Sequence, residues 1–309
     1  MSSAEITIII PLYNGEKHIA QTLEALLLQS LKEFQIIVID DGSTDSSFRK
    51  VTEIKDSRIR LIRQRNLGLA VALNNGINQC TSKYIARNDQ DDISFPQRLE
   101  KQLAYMKANP DVDCIFSHYT KFGKKRGWRN LDKQCNQSGT SKKFQGIEDG
   151  CQLASTLFAK TTVIQSLGGY RQEYYPSDDW DMELRLLQQA EIHILQEPLV
   201  AYRFHFGANT YSRFEEMQLK GAWAESSYYR RQLGMPELTF NDFKSTVNLS
   251  FKDRIKNKRN YFAKLFLRKA GQYYLDGSYI PFIYYMILST IFNSFEITNR
   301  VRKFLINKK

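Results

Sequence analysis

Short apolar runs alternate with longer amphipathic segments along the first 110 residues. Four runs of strand length, ITIIIPL, FQIIVID, IRLIR and YIARND, are each followed by a segment of helix length, at 16–30, 44–55, 68–80 and 96–108. This order predicts an α/β fold with a mostly parallel central sheet and helices on its faces. In the first helical segment one side is apolar, and we interpret its residues as core: Ile19, Leu23, Leu26 and Leu27.

Polar residues follow each of the four predicted strands. Ligands of open α/β sheets bind beyond the carboxyl ends of the strands, so we expect these residues to meet at one edge. The chain contains neither GxGxxG nor GxxxxGK(S/T), so a dinucleotide-binding Rossmann site and a P-loop are unsupported. The residues at this edge are Asn14 after the first strand, Asp40 and Asp41 after the second, Arg65 and Asn66 after the third, and Asp89, Asp91 and Asp92 after the fourth.

The acidic cluster after the fourth strand has two interpretations. Asp89 and Asp91 form an Asp-x-Asp pair whose oxygens suit a hard divalent cation, Mg²⁺ or Mn²⁺, which in turn neutralises a diphosphate. The alternative is an acidic turn before the helix that begins near Pro96. The local sequence leaves both open.

Composition sets the size and compartment of the protein. With 309 residues, 42% of them hydrophobic and 13% aromatic, the chain is long enough for one large α/β domain and an appendage. The four cysteines are widely spaced without a Cys-x-x-Cys motif, which indicates neither a zinc site nor a disulfide framework. A reducing cytosol fits this pattern. We expect no signal peptide, because the first apolar run is a predicted strand.

Positive charge is concentrated in the last sixty residues. Of the net charge of +11, residues 251–309 carry +10, from 13 Lys or Arg and 3 Asp or Glu. Such a surface fits either an anionic membrane or a nucleic acid. We expect no nucleic-acid partner, because no recognisable binding motif is present and the basic residues are mixed with aliphatic and aromatic ones.

The segment Tyr279 to Phe295 predicts an amphipathic helix between basic clusters. At about 17 residues, with a proline near its start, it is short and polar for a membrane span and resembles an interfacial helix. The alternative is a helix packed on the protein's own core. The predicted apolar face comprises Ile287, Leu288, Ile291, Phe292 and Phe295, and the polar face Ser289, Thr290, Asn293 and Ser294.

The chain contains six ordered motifs: PLYNGEKHIAQTLEALLLQS, VIDDGSTDSS, NLGLAVALNNGI, ARNDQDDISFPQRLEKQ, SDDWDMELRLL and YRFHFGANT. These motifs resemble those of bacterial family 2 glycosyltransferases with the GT-A fold, of the type that assembles O-antigen or capsular polysaccharide. The resemblance covers roughly residues 5–210. It implies a GT-A catalytic domain at 1–212 and a helical, basic C-terminal region at 213–309.

The resemblance also implies roles for the residues at the sheet edge. The nucleotide base is expected around Pro11, Tyr13 and Asp41. Asp91 is the principal expected ligand of Mn²⁺ or Mg²⁺. Asp92 is expected to support the site or to begin the next helix. The implied donor-binding set is Pro11, Tyr13, Asn14, Asp40, Asp41, Arg65, Asn66 and Asp89, and the implied metal set is Asp91, Asp89 and His205.

The four histidines of the chain receive two interpretations, one for His205 and one for the other three. His205 stands between two phenylalanines, which by itself is typical of a packed histidine, whereas the resemblance places it at the metal or the departing diphosphate. His18, His118 and His193 have no such context, and we interpret them as structural.

The acid pair at 178–179 stands where the family favours Glu-Asp, so the chain departs at position 178 and keeps the second acid. By position, Asp179 resembles the catalytic base. An inverting transfer needs one carboxylate to deprotonate the acceptor hydroxyl on the face opposite the leaving nucleotide. The alternative is ordinary acidic residues at the start of a helix, where Asp178, Asp181 and Glu183 also stand.

The segment 119–150 is polar and glycine-rich, which predicts a long loop or a hairpin insertion. Trp128 and Arg129 are candidates for stacking on or clamping an acceptor sugar, and an ordinary surface loop is the alternative.

Together these features predict a cytosolic enzyme, peripherally associated with the inner face of the cell membrane, that transfers a hexose from a UDP-sugar with inversion. By analogy, the expected acceptor is a lipid-diphosphate-linked glycan such as GlcNAc-diphosphoundecaprenol. Two other classes remain: a catalytically inactive nucleotide-sugar-binding or scaffolding subunit, and a nucleic-acid-binding protein that uses the basic tail. The acids Asp89, Asp91 and Asp179 argue against the inactive subunit.

Overall fold

The structure, a computed structural model, describes residues 4–123, 140–205, 213–246 and 251–292, with residues 251–258 described by their backbone alone. Its strands are β1 Ile6–Leu12, β2 Phe34–Asp41, β3 Ile59–Gln64, β4 Tyr84–Arg87, β5 Ile93–Ser94, β6 Cys114–Phe122, β7 Ser141–Lys143, β8 Phe158–Lys160 and β9 Ile192–Arg203. Its helices are α1 Ile19–Leu27, α2 Ser47–Glu53, α3 Leu69–Asn78, α4 Arg98–Ala108, α5 Thr161–Ser166, α6 Asp178–Gln189, α7 Phe214–Gln232, α8 Phe240–Thr246, α9 Phe251–Leu275 and α10 Tyr279–Phe292.

One sheet, in the order β3-β2-β1-β4-β8-β6-β9-β5, forms the centre of the described chain, and β7 pairs with β9. The first four strands are mutually parallel, with Leu12 opposite Asp40, so their carboxyl ends share one edge. In the other half β8 runs antiparallel to β4 and β6, and β6 is parallel to β9. The predicted sheet with four leading strand–helix units and flanking helices is therefore confirmed.

Helices cover both faces of the sheet. Successive residues of a strand point to opposite faces, and in β1 both sets are apolar, so each face needs a covering layer. Ile8 and Ile10 of β1 pack in one hydrophobic cluster with Leu23 and Leu26 of α1. Ile9 packs in a second cluster, on the other face. The predicted core face of α1 is confirmed, with its last member, Leu27, partly buried at the edge of the first cluster.

Helices α7 and α8, which follow residue 212, share the second cluster with the sheet. Trp180 of α6 packs there with Trp223 of α7 and Phe243 of α8. The Tyr174 ring stacks on Trp223 with the ring centroids 3.8 Å apart. The predicted domain boundary between 212 and 213 stays a prediction. Helices α7 and α8 pack against α6 and help to fix its position.

Helices α9 and α10 form a hairpin whose packing differs from the predicted amphipathic faces. Ser289, predicted on the polar side, is buried and donates a hydrogen bond to the Ala263 carbonyl at 2.7 Å. Phe292, predicted on the apolar side, packs on α9 with its ring centroid 5.5 Å from that of Phe266. The prediction for Ser289 was wrong, because α10 is apolar on both sides and the α9 carbonyl satisfies the serine hydroxyl. Phe292 lies on an apolar side, as predicted, and that side is packed on α9. Phe295, Asn293 and Ser294 lie outside the described residues.

The opposite face of α10 is apolar and exposed. Its members recur at helical spacing and are between 55% and 84% exposed: Ile280, Ile283, Tyr284, Ile287 and Ile291. We call this set the isoleucine stripe. In the described part of the chain, no helix is both long and apolar enough to cross a membrane.

The predicted loop at 119–150 is structured at both ends. β6 continues to Phe122, and β7 pairs with β9 before a short turn at Ile147–Asp149. Trp128 and Arg129 lie outside the described residues.

Arg98, on the first turn of α4, is fully buried behind the acidic loop that follows β4. Burial lowers the pKa of its guanidinium to about 9, so the group remains charged at neutral pH. It fixes the loop from several sides by donating to acceptors on Arg87 (backbone O, 2.9 Å), Asn88 (Oδ1, 3.0 Å), Ser94 (Oγ, 2.8 Å), Gln102 (Oε1, 3.0 Å) and Leu157 (backbone O, 3.2 Å).

Replacing Arg98 by methionine should lower the free energy of unfolding by about 3 kcal/mol. The apolar side chain leaves several buried acceptors without a donor, and each costs roughly 1–3 kcal/mol before relaxation. Urea denaturation measures this change. The control is Arg49→Met, since the Arg49 side chain is 71% exposed and its loss should change stability by less than about 0.5 kcal/mol. Equal effects of the two variants would contradict the assigned role of Arg98.

Candidate functional site

A cleft lies at the carboxyl ends of the parallel strands, with a volume of about 2070 Å³. Pockets for single drug-sized ligands are usually about 300–1,000 Å³, so the cleft has room for two substrates. The predicted residues that line it are Pro11, Tyr13, Asn14, Asp41, Asn66, Asp89, Asp91, Asp179 and His205. The fold has therefore brought together residues from six separate stretches of the sequence.

Asp40 and Arg65 stand apart from this described lining. Asp40 is fully buried, where its carboxylate lies 3.1 Å from Nε of Arg63 and accepts the Ser43 amide at 3.3 Å. These contacts give Asp40 a structural part at the end of β2. Donor contacts by Asp40 and Arg65 stay predictions.

On the β2 side, Asp41 shapes the loop before α3. One carboxylate oxygen accepts the Leu67 amide at 2.8 Å and the other the Gly68 amide at 2.9 Å. Gly68 has φ +97°, and a Cβ there would collide with the Gln172 side chain. The loop therefore requires both the carboxylate and the glycine.

Tyr13 follows β1 and is 45% exposed in the cleft, while Gln90 accepts its backbone amide at 2.8 Å. An exposed aromatic ring on a fixed backbone is suited to contact the flat face of a nucleotide base. Asn14 next to it has φ +48°, and its side-chain oxygen accepts the Thr44 amide at 2.9 Å. Asn14 thereby joins the ends of β1 and β2.

Asp91 and His205 meet in the cleft, with Oδ2 of Asp91 2.8 Å from Nε2 of His205. No group of three or more His, Cys, Asp or Glu side chains is arranged to hold a metal ion in the described part of the chain. A two-ligand site still fits Mg²⁺ or Mn²⁺, which are commonly held by one or two protein groups and substrate phosphates. Asp89 is ion-paired with Arg87, Nε to Oδ1 2.9 Å, and its part in metal binding stays a prediction.

His18 is a cleft residue that the sequence did not single out. Its ring centroid is 5.1 Å from that of His205, and both rings line the cavity. Burial, followed by the charge of Arg203, lowers the pKa of His18 to about 4, so its imidazole is neutral at pH 7. We interpret it from the sequence as structural, because it stands in the turn before α1 and its neighbour His205 follows β9, far along the chain.

Arg87 is the second residue that sequence reasoning missed. It is buried at the end of β4 and lines the cleft, with its guanidinium 5.2 Å from the Tyr170 ring centroid. Burial opposes its charge, but Asp89, Tyr170 and Asp178 outweigh that effect and raise its pKa. Arg87 thus connects the acids after β4 with those of α6.

Asp92 supports the loop from behind, which matches its expected position. It is buried and accepts hydrogen bonds from the Ser155 hydroxyl at 2.6 Å and the Arg203 amide at 3.0 Å. Ser155 also accepts the Asp89 amide at 2.9 Å. The acidic loop is therefore tied to two distant parts of the chain.

Asp178 and Asp179 begin α6 in different surroundings. Asp179 lines the cleft, and its Oδ1 accepts the Trp180 amide at 2.8 Å. Asp178 is buried, with one oxygen that has no hydrogen-bond partner among the described residues. Burial, and then the charge of Asp179, raise the pKa of Asp178 to about 7; burial also raises the pKa of Asp179.

The other acids of α6 have structural partners. Asp181 is buried between Arg171 and Arg185, with which it forms ion pairs. Glu183 is buried and accepts the Gln152 amide at 3.0 Å, which holds the wall of the cleft around residue 152. Asp179 is therefore the acid of this helix that is placed to reach a substrate.

Two solved structures share this architecture. The S. aureus TarS fragment 1–349, in complex with UDP-GlcNAc, superposes with a TM-score of 0.59 at 16% identity, over 94% of this chain and 91% of that one. The mannosyltransferase PcManGT from Pyrobaculum calidifontis, in complex with GDP-Man and Mn²⁺, gives 0.54 at 14% identity, over 94% and 87%. The chain has the GT-A fold, as predicted.

Sequence relatives extend the comparison. The amylovoran biosynthesis glycosyltransferase AmsE of Erwinia amylovora is 31% identical over 186 residues, which are 59% of this chain and 69% of AmsE. The model of glycosyl transferase family 2 matches residues 7–164, about half of the chain, and this range contains Asp41, Asp89 and Asp91. The cleft, the fold and this match agree, and the chain belongs to glycosyl transferase family 2.

Proposed function

We propose that the protein is an inverting hexosyltransferase that uses a UDP-sugar donor. The observation that carries the proposal is the arrangement of the cleft, where Tyr13 and Asp41, then Asp91 and His205, then Asp179 line one cavity. These groups suit a base, a diphosphate and an acceptor hydroxyl, respectively. The UDP-GlcNAc complex of TarS supports a uridine nucleotide as the donor.

In this proposal Asp179 is the general base. The Asp178 carboxyl, with its pKa near 7, holds a proton more readily than an ordinary aspartate, which leaves negative charge on the neighbour that faces the cleft. Asp179 then removes the proton of the acceptor hydroxyl as the oxygen attacks the anomeric carbon. Because attack comes from the face opposite the leaving UDP, an α-linked donor gives a β-glycoside.

Asp91 and His205, together with Asp89, are the proposed holders of Mn²⁺ or Mg²⁺. When bound, such an ion neutralises the negative charge that develops on the leaving diphosphate. The Mn²⁺ in the PcManGT complex supports a divalent ion in this fold. Arg87 orients the Asp89 carboxylate through its Nε–H.

The proposed acceptor is a lipid-diphosphate-linked glycan, such as GlcNAc-diphosphoundecaprenol, in O-antigen or capsule assembly. AmsE is named for the biosynthesis of amylovoran, which supports polysaccharide assembly as the process. An acceptor carried by a lipid would bring the enzyme to the cytoplasmic side of the cell membrane. The described lining has room for the acceptor sugar beside the donor.

The isoleucine stripe supports peripheral association with an anionic membrane surface. It exposes four isoleucines and one tyrosine on a single helix face, beside a helix that carries Lys264 and Lys269. Apolar side chains on one side and basic ones beside them are the features of an interfacial helix pair. The basic tail thus needs no nucleic acid as its partner.

A catalytically inactive nucleotide-sugar-binding subunit is the alternative. Both classes bind UDP-sugars, but only the enzyme consumes them. A panel of nucleotide sugars, with and without Mn²⁺, tested against a GlcNAc-diphosphate-lipid acceptor distinguishes the two classes.

Replacing Asp179 by asparagine should lower turnover by roughly 10²- to 10⁴-fold, the usual contribution of a general base. The affinity for UDP, measured by calorimetry, should remain unchanged, because Asp179 contacts the acceptor in this proposal. The matched control is Asp111→Asn at an exposed position outside the described cleft lining. Near-normal turnover of Asp179→Asn would remove this residue from the mechanism.

Replacing Asp178 by asparagine should stabilise the protein at alkaline pH. The folded state holds the Asp178 proton up to about pH 7, whereas the unfolded state releases it near pH 4, so this group costs stability as the pH rises between these values. The gain at pH 8 has an upper bound of about 4 kcal/mol and should fall towards zero at pH 4. Urea denaturation across this range measures it, and a pH-independent difference would contradict the argument.

Replacing Ile283, Ile287 and Ile291 together by serine should release the protein from vesicles that contain anionic lipid. Each substitution removes an exposed apolar side chain that would be buried in the membrane interface, at roughly 1.5–3 kcal/mol per fully buried side chain. Vesicle flotation measures binding. Leu233→Ser, which removes a 73% exposed leucine elsewhere, is the control. Wild-type protein that ignores anionic vesicles would refute the membrane proposal.

A further inference from the structure

We infer that the cleft rim beside the C-terminal hairpin binds the diphosphate of a prenyl-type lipid, with Arg268 and Lys121 as the groups that meet it. The inference rests on the proposed function and names a subsite within it. Both residues line the cleft, Lys121 from β6 and Arg268 from α9.

The hairpin is docked tightly at the end of β6. A Cβ placed on Gly123 would lie 3.0 Å from Cβ of Leu275 and 2.6 Å from a carboxylate oxygen of Asp276. One turn earlier, a Cβ on Gly271 would lie 3.7 Å from the Phe204 ring. The last turns of α9 therefore form part of the cleft wall, and Arg268 enters the cavity from that wall.

Both cations lie beside aromatic rings. Nζ of Lys121 lies 5.9 Å from the Tyr119 ring centroid and 5.6 Å from that of Phe204. The guanidinium of Arg268 lies 4.7 Å from the Phe214 ring centroid. Two cations beside aromatic rings suit an anion that carries an apolar group, as a prenyl diphosphate does.

The same helix pair connects this rim to the isoleucine stripe. α9 supplies Arg268, and α10 packs along α9 through contacts such as Tyr273 with Tyr285, ring centroids 5.5 Å apart. A lipid-linked acceptor has its prenyl chain in the bilayer and its diphosphate between chain and sugar. A hairpin that meets both the membrane and the cleft fits this order of groups.

The test is calorimetry with farnesyl diphosphate as the probe, on the full-length protein. Wild type should bind it, farnesol should bind at least tenfold more weakly, and excess UDP should not displace it. Arg268→Gln should weaken binding about tenfold, equivalent to 1.4 kcal/mol. The matched control is Lys264→Gln, one turn earlier on α9 and outside the described lining, which should bind like wild type. Lys121→Gln is the second variant and should act in the same direction as Arg268→Gln.

Several results would overturn the inference. Competition between UDP and the probe would assign these cations to the donor diphosphate. Equal binding of farnesol, or equal affinity of wild type and both folded variants, would remove the subsite. Because this readout needs no sugar transfer, a chain that binds the probe but transfers no sugar would refute the proposed function and leave the subsite standing.

Discussion

The acidic loop after β4 depends on hydrogen bonds from one buried guanidinium. A four-residue strand followed by three aspartates within four positions has little local reason to hold one conformation, since the carboxylates repel one another. Arg98 binds the loop backbone from beneath, and Asp92 ties it to Ser155 and to the Arg203 amide. The side chains of Asp89 and Asp91 can therefore face the cleft. The positive charge and the hydrogen-bond donors that hold the loop come from Arg98, on the side away from the cleft.

The residues at the ends of β1–β4 could be placed in the cleft from local sequence, whereas Asp179 on α6 was expected there only from the family resemblance. Residues at parallel strand ends, such as Asp41 and Asp91, could be placed because topology brings strand ends together. Arg87 could not be assigned from its neighbours, since Tyr170 and Asp178 lie more than eighty positions away. Periodicity likewise identified α10 but not the face that packs on the protein. Both sides of α10 are apolar, and contacts with α9 determine which side is buried.

Arg87 gives the two halves of the cleft a common electrostatic element. Its guanidinium pairs with Asp89 after β4 and acts on Asp178 at the start of α6. A change of charge at Asp89 therefore alters the electrostatic environment of Asp178, because both acids interact with the buried guanidinium of Arg87.

The hydrogen bond of the Ser289 hydroxyl fixes the rotation of α10 about its own axis. On a helix that is apolar all round, packing energy changes little as the helix turns about its own axis, so many rotations compete. One buried hydroxyl with one acceptor on the partner helix, the Ala263 carbonyl, distinguishes among them, because any other rotation breaks this hydrogen bond between the helices. A serine of modest energetic value thus sets the rotational phase of α10, and with it the side of the protein on which the isoleucines emerge.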